Sequence, residues 1–182
     1  MSDSIDWVVD LEATSEHVDG LASRVKHWLI EQQIVLTKES GVRAYSGATL
    51  LPPGPCAEAW SVQVARDLAM CGLEVVTKRT VFHTGDNGLD GFQCPNCGQS
   101  HGVDDVPWSD AVGGWWSQEG SHLMLCPSCQ RSSSIVEWRF LEFEWGFGNL
   151  GFGFNNWPIS ERLAAEIGAV LGHRCRLVHQ HI

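Results

Sequence analysis

Four cysteines stand in two pairs whose spacing is typical of a metal site. Cys94 and Cys97 form one Cys-x-x-Cys pair, and Cys126 and Cys129 form the other. Two intervening residues let both thiolates of a pair point at one ion, and four thiolates complete a tetrahedral zinc site with Zn–S distances of about 2.3 Å. Such a site leaves no position for water, so we expect one structural Zn²⁺ per chain rather than a catalytic metal.

The residues beside the cysteines fit turns that wrap around a metal. Pro95 and Pro127 follow the first cysteine of each pair and preset φ there. Gly98 follows the first pair and permits the positive φ with which a chain leaves the ion. Gln130 occupies the corresponding place after the second pair, so no glycine defines the second exit.

Residues 93–132, which contain both pairs, resemble a zinc ribbon, a family built from two Cys-Pro-x-Cys knuckles on β-hairpins. The resemblance covers about a fifth of the chain. It implies a small zinc-stabilised module with the four paired cysteines as its ligands, inserted into a scaffold domain made of residues 1–92 and 133–182. Redox use of the pairs is the alternative, but no thioredoxin-like strand–motif–helix context surrounds them. His101 and His122 flank the pairs and are expected beside the metal or in solvent.

Hydrophobic periodicity places strands and helices on both sides of this insertion. It predicts a strand at 5–11, a helix at 18–29, a helix at 57–71 ended by Gly72, and a long strand at 135–145. A final helix begins near Ser160 and ends at Gly172 before the last strand. The expected fold class is α+β: an antiparallel or mixed sheet with two to three helices, plus the zinc ribbon. A ferredoxin-like arrangement is one candidate.

Charge and composition narrow the class of partner. The chain has 12 Lys and Arg against 22 Asp and Glu, a formal net charge of -10. This balance repels phosphate backbones and suits a basic protein partner. No apolar run approaches the ~18 residues of a membrane helix, and the acidic N-terminus lacks the apolar region of a secretory signal. We therefore expect a cytoplasmic protein without membrane association.

A glycine-rich segment at 146–151 satisfies the pattern G-x-G-x-x-G. It follows a predicted strand, but no helix opens after it, which disfavours dinucleotide binding. A Gly–aromatic hairpin or bend is the simpler interpretation. No His-Glu-x-x-His or His-x-Glu motif occurs. Cys56, Cys71 and Cys175 are expected to be small buried side chains.

Two adjacent tryptophans are candidates for partner binding. Trp115 and Trp116 lie about midway between the cysteine pairs, among glycines. Neighbours on a strand point to opposite faces, so we expect one indole to pack inward and the other to be partly exposed. Asp104, Asp105 and Glu119 would form an acidic rim around a tryptophan hot spot.

These observations favour a non-enzymatic, zinc-binding cytoplasmic protein that acts as a protein-binding module, either an inhibitor or immunity-like protein or an adaptor. The first alternative is a zinc-ribbon protein associated with transcription or nucleic acid. Residues 93–132 disfavour it, since Arg131 is their one basic side chain against four acidic ones. The second alternative is an enzyme with an unrecognised site in the Gly/aromatic strand region.

Overall fold

The protein has an α+β fold in the computed structural model, which describes residues 3–182. The described residues form three α-helices: α1 (Val18–Glu31), α2 (Trp108–Ser117) and α3 (Glu161–Leu171). Their strands are β1 (Ser4–Asp10), β2 (Gly72–Val76), β3 (Thr80–Phe82), β4 (Gly91–Gln93), β5 (Ser100–Gly102), β6 (Leu123–Leu125), β7 (Ser132–Ser134), β8 (Arg139–Phe140), β9 (Gly146–Gly148), β10 (Leu150–Asn155) and β11 (Cys175–His181).

The scaffold is a four-stranded antiparallel sheet with two helices on one face. The strand order is β11-β1-β10-β2, α1 follows β1, and α3 follows β10. Numbered along the chain, the four strands lie in the order 4-1-3-2, with helices after the first and third. This is the β-α-β-β-α-β succession of ferredoxin-like folds. The predicted fold class is therefore confirmed.

Both faces of the sheet are buried. Val8 and Phe152 lie on the helix side in one apolar core, while Trp7 and Phe82 belong to a separate cluster on the opposite face. Strand β10 alternates accordingly, with large side chains toward the helices and glycines toward Trp7 and Phe82. Gly151 and Gly153 thus contribute space for aromatic rings, and the glycine-rich segment 146–151 lies in β9 and β10 rather than at the start of a helix.

The ends of α3 agree with the sequence. Ser160 Oγ accepts a hydrogen bond from the backbone N–H of Leu163 at 3.2 Å, and Gly172 ends the helix at φ 74°.

His179 in β11 is hydrogen-bonded to a buried carboxylate. Its Nδ1 atom lies 2.7 Å from Oδ1 of Asp6. That hydrogen bond raises the pKa of His179, against the opposing effect of burial.

Two sequence-based predictions of secondary structure outside residues 93–132 are wrong. Only a short 3₁₀ helix, Ala57–Trp60, forms in the segment 57–71, and Gly72 begins β2 without a positive φ. Arg66 donates hydrogen bonds to the carbonyls of Pro53 and Gly54 at 2.9 and 2.7 Å, and these tertiary contacts override the helical pattern.

The long strand predicted at 135–145 is likewise broken. A 3₁₀ turn at Ile135–Glu137 begins it, stabilised by reciprocal hydrogen bonds between Ser134 and Glu137, and only Arg139–Phe140 pairs as a strand. The chain then bends at 141–143, with Glu142 at φ 64°, so no continuous strand reaches Trp145.

The elements β3 to β9 lie in the chain between β2 and β10, two neighbouring strands of the scaffold sheet. They enclose their own apolar cluster, which includes Phe92, Met124 and Trp138 and shares no residue with the scaffold core. This apolar cluster extends from Val81 to Phe147, so the boundaries of the insertion at residues 93 and 132 stay a prediction.

Among the described helices, none has the length and apolar character needed to cross a membrane.

Candidate metal centre

The four paired cysteines converge at one point. Their Sγ atoms all lie within 4.8 Å of one another. The Sγ atoms of Cys94 and Cys129 are 3.9 Å apart, and those of Cys97 and Cys126 are 3.7 Å apart. Tetrahedral Zn²⁺ with Zn–S distances of about 2.3 Å requires sulfur–sulfur separations of about 3.8 Å. The donor set therefore has the composition and the spacing of a metal site, and zinc fits it.

Two equivalent turns position the thiols. In each, the N–H of the first cysteine bonds to the carbonyl five residues later, at 2.9 Å for both Cys94 and Cys126. The carbonyl of that cysteine accepts from the N–H four residues on, at 3.0 Å in the first turn and 2.9 Å in the second. A short hairpin supports each turn, β4–β5 for the first and β6–β7 for the second.

The exits of the two turns also match. Gly98 has φ 73°, as predicted, and Gln130 adopts φ 59° in the equivalent place. The Gln130 side chain donates a hydrogen bond from Nε2 to the carbonyl of Pro127 at 2.7 Å. A left-handed conformation is sparsely populated by non-glycine residues, so the turn imposes it here.

The thiols differ in acidity because they differ in surroundings. Burial raises the pKa of Cys94, but hydrogen bonds from the backbone N–H groups of Asn96 and Cys97 outweigh it and bring this pKa to about 7. The N–H of Gln99 favours the Cys97 thiolate, yet partial desolvation and hydrogen bonds among the neighbouring sulfurs raise the pKa of this exposed thiol to about 11. Loading all four positions with a cation therefore releases protons.

Side chains outside the cluster brace the site. His101 Nε2 lies 3.3 Å from the Cys126 Sγ, beside the donor set, whereas His122 is exposed. Asn96, in the first turn, donates from Nδ2 to Ser133 Oγ at 2.7 Å and so ties the first turn to the second hairpin. Such outer contacts orient the ligands of a metal.

The segment between the pairs folds as α2 and not as the strand on which the tryptophan prediction relied. On the helix, Trp115 is half-buried, edge-on to Phe147 with ring centroids 5.1 Å apart, and Trp116 is 63% exposed. Asp104, Asp105 and Glu119 are exposed, and Asp105 accepts a hydrogen bond from the N–H of Gly102 at 2.8 Å. Their role in partner binding stays a prediction.

Adjacent glycines in α2 provide a test of how the helix sits on the module. A Cβ at Gly114 would lie 2.3 Å from the carbonyl oxygen of Ser121, while one at Gly113 meets nothing within 4 Å. We expect Gly114→Ala to lower the free energy of unfolding by about 1–3 kcal/mol. Gly113→Ala should instead raise it by up to about 1 kcal/mol, because alanine favours helix. Urea unfolding of both variants measures the difference, and equal effects would contradict this packing.

One arrangement outside the metal centre has the residue types of a nucleophilic site. His173 Nδ1 lies 2.8 Å from the fully buried Asp10 carboxylate, and Cys175 is close to both. Burial and the charges of Asp10 and Glu12 raise the pKa of Cys175 to about 12. A thiol of that acidity is a poor nucleophile at neutral pH, because the thiolate is the reactive form.

Sequence reasoning did not find a group of arginines that the fold brings together. Arg79 precedes β3, whereas Arg174 and Arg176 lie at the start of β11, yet all three line one cavity. No spacing rule connects residues this far apart in the chain, so the sequence held no usable signal for them.

No family model matches this chain, and neither the curated proteins nor the solved structures contain a match to it.

Proposed function

We propose that residues 93–132 form a zinc ribbon holding one structural Zn²⁺, and that the chain is a non-enzymatic cytoplasmic protein that binds another protein. The observation that carries the zinc assignment is the pair of sulfur–sulfur distances, 3.9 and 3.7 Å, across four convergent cysteines. Four thiolates fill the coordination sphere, so the ion would stabilise the module and leave no position for a substrate.

Exposed apolar side chains on this module support a docking role. Trp116 on α2 is 63% exposed, and Leu123 and Leu125 on β6 are 50% and 48% exposed. Helix α2 contacts β6, so these side chains belong to neighbouring elements. Tryptophan is the residue type most enriched among interface hot spots. We take Trp116 as the anchor of the proposed interface, with Trp115 next to it in α2 and packed against Phe147.

Charge indicates what kind of protein would dock there. Asp104, Asp105 and Glu119 are exposed in the same module, and the chain carries a net charge of -10. Acidic groups around an apolar anchor steer a basic surface toward it and repel acidic competitors. A basic protein, which an inhibitor or immunity-like protein would neutralise, fits this surface better than a nucleic acid.

The two tryptophans permit a sharp test, because only one of them is exposed. We expect Trp116→Ala to keep zinc and fold while weakening capture of the partner by about 30-fold or more, the range of a hot spot. Trp115→Ala should lower stability instead, since its ring packs on Phe147. The matched control is Val62→Ala, which removes another exposed apolar side chain from the scaffold.

Affinity capture from lysate of the source organism, followed by direct titration of the purified partner, provides the measurement. Full affinity in Trp116→Ala would place the interface elsewhere. Co-purified nucleic acid that salt releases would favour the alternative role in nucleic-acid biology.

A further inference from the structure

A cavity of about 590 Å³ lies where the scaffold sheet meets the inserted module. The scaffold contributes Leu11, Arg174 and Arg176, and the inserted elements contribute Trp115 and Phe147. Arg79, in the connection between β2 and β3, completes a set of three guanidinium groups. Three of the chain's 12 basic side chains thus meet at one cavity of a protein with a net charge of -10.

Arg79 is held rigidly and has no counter-charge. Its Nε donates to the carbonyl of Trp115 at 2.8 Å, and its guanidinium carbon lies 3.8 Å from the centre of the Trp115 ring. Across residues 3–182, no carboxylate lies within ion-pair distance of it. Burial lowers the pKa of Arg79, because a partly desolvated guanidinium is less stable in its charged form. The two terminal nitrogens make no hydrogen bond within the described chain and stay available to a ligand.

The other two arginines are loosely paired. The Nη1 of Arg176 donates to the carbonyl of Trp145 at 2.9 Å and lies 3.7 Å from Glu144. Arg174 lies 3.5 Å from Glu12, and its side chain is 80% exposed. Exposed pairs at such distances contribute little to stability. Arg174 can therefore turn toward an anion in the cavity at small cost, whereas Arg176, whose side chain is 25% exposed, lines the cavity while it stays bonded to Trp145.

The cavity wall holds one acidic side chain, Glu137, whose carboxylate accepts a hydrogen bond from the N–H of Ser134 at 3.2 Å. Three guanidinium groups line the same cavity. The planar, forked arrangement of their N–H donors matches the oxygens of phosphate and carboxylate groups. The remaining wall is apolar at Leu11, Val136 and Phe147. A volume of this size is typical of small-molecule sites and exceeds what a bare inorganic ion fills.

We propose that this cavity binds a small organic anion, with its phosphate or carboxylate group on Arg79, Arg174 and Arg176 and its apolar part against Leu11 and Val136. The site is separate from the cysteine cluster and from Trp116, so it goes beyond the proposed function and does not depend on it. It also locates a ligand pocket beside the Gly/aromatic strands, where Gly148 and Asn149 line the wall.

The test is calorimetric titration of the full zinc-loaded chain with phenyl phosphate and with benzoate at constant ionic strength. These probes share an aromatic ring and differ in the anionic group, so they distinguish a phosphate ligand from a carboxylate ligand. We expect saturable binding of at least one probe at one molecule per chain. Arg79→Gln and Arg174→Gln should each weaken it about tenfold or more, since each removes a charge-assisted hydrogen bond. Lys26→Gln, on the exposed face of α1, removes the same charge elsewhere and should leave binding unchanged.

Three results would overturn the proposal. They are the absence of saturation with both probes, equal weakening in Lys26→Gln, and unchanged binding in both arginine variants. If Arg79→Gln fails to fold, Arg174→Gln decides the matter, because its exposed side chain can be replaced without disturbing a core.

Discussion

Replacing Cys97 by serine is expected to remove the metal and unfold the inserted module. Cys97 is exposed and supports no core by itself, so the effect must come through the ion. Structural zinc sites contribute on the order of 10 kcal/mol to the folding of small zinc modules. The strands beside the cysteines are three residues long, too short to persist without it.

Tryptophan signals make the measurement selective. Trp108, Trp115, Trp138 and Trp145 belong to the apolar cluster of the module. We expect near-UV circular dichroism to fall in Cys97→Ser, and in the wild type after chelation, while helical signal from α1 and α3 persists. Elemental analysis should find one zinc per wild-type chain and a stoichiometry near zero in the variant.

The matched control is Cys56→Ser, which changes a cysteine outside the cluster and should retain both zinc and spectrum. Zinc retained in Cys97→Ser, iron in place of zinc, or an unchanged spectrum after chelation would each contradict a structural zinc site.

A methyl group at Gly153 is expected to be among the most disruptive small changes in the scaffold. A Cβ there would lie 2.6 Å from a ring carbon of Trp7, below any normal contact distance. Trp7 cannot move aside, because it is buried and its Nε1 donates to Gln180 at 2.8 Å. We expect Gly153→Ala to lower the free energy of unfolding by about 1–3 kcal/mol or somewhat more.

Double-mutant analysis by urea unfolding tests the cause. Trp7→Leu alone opens a cavity and is destabilising. Combined with Gly153→Ala, it should be less destabilising than the sum of the two changes by about 1 kcal/mol or more, since the methyl group then fills vacated space. Gly20→Ala on α1, where a Cβ meets nothing within 4 Å, is the control and should be neutral or stabilising. Strict additivity would show that Trp7 is not the reason for the glycine.

If both expectations hold, they separate two uses of short motifs in this chain. The Cys-x-x-Cys pairs build a metal site from local turns, whereas Gly151 and Gly153 of β10 make room for aromatic rings across a sheet. Trp115 links the two regions, since it lies on α2 between the cysteine pairs and its ring packs on Phe147. The same ring lies against Arg79 at the cavity. A ligand in the cavity would therefore contact the helix that carries the proposed docking residue.

Sequence alone determined the features that depend on near neighbours. The cysteine pairs, the positive φ at Gly98, the start of α3 at Ser160 and the α+β class all follow from spacing or capping over a few residues. Tertiary structure decided the rest. The segment 57–71 lost its helix to hydrogen bonds from Arg66, and the segment between the cysteine pairs became α2 by packing on β3 and β6. The arginine cavity joins residues 95 or more positions apart, from Arg79 to Arg174 and Arg176. Local patterns record only what adjacent residues prefer, and contacts across such separations depend on the whole fold, which is why the sequence could not disclose them.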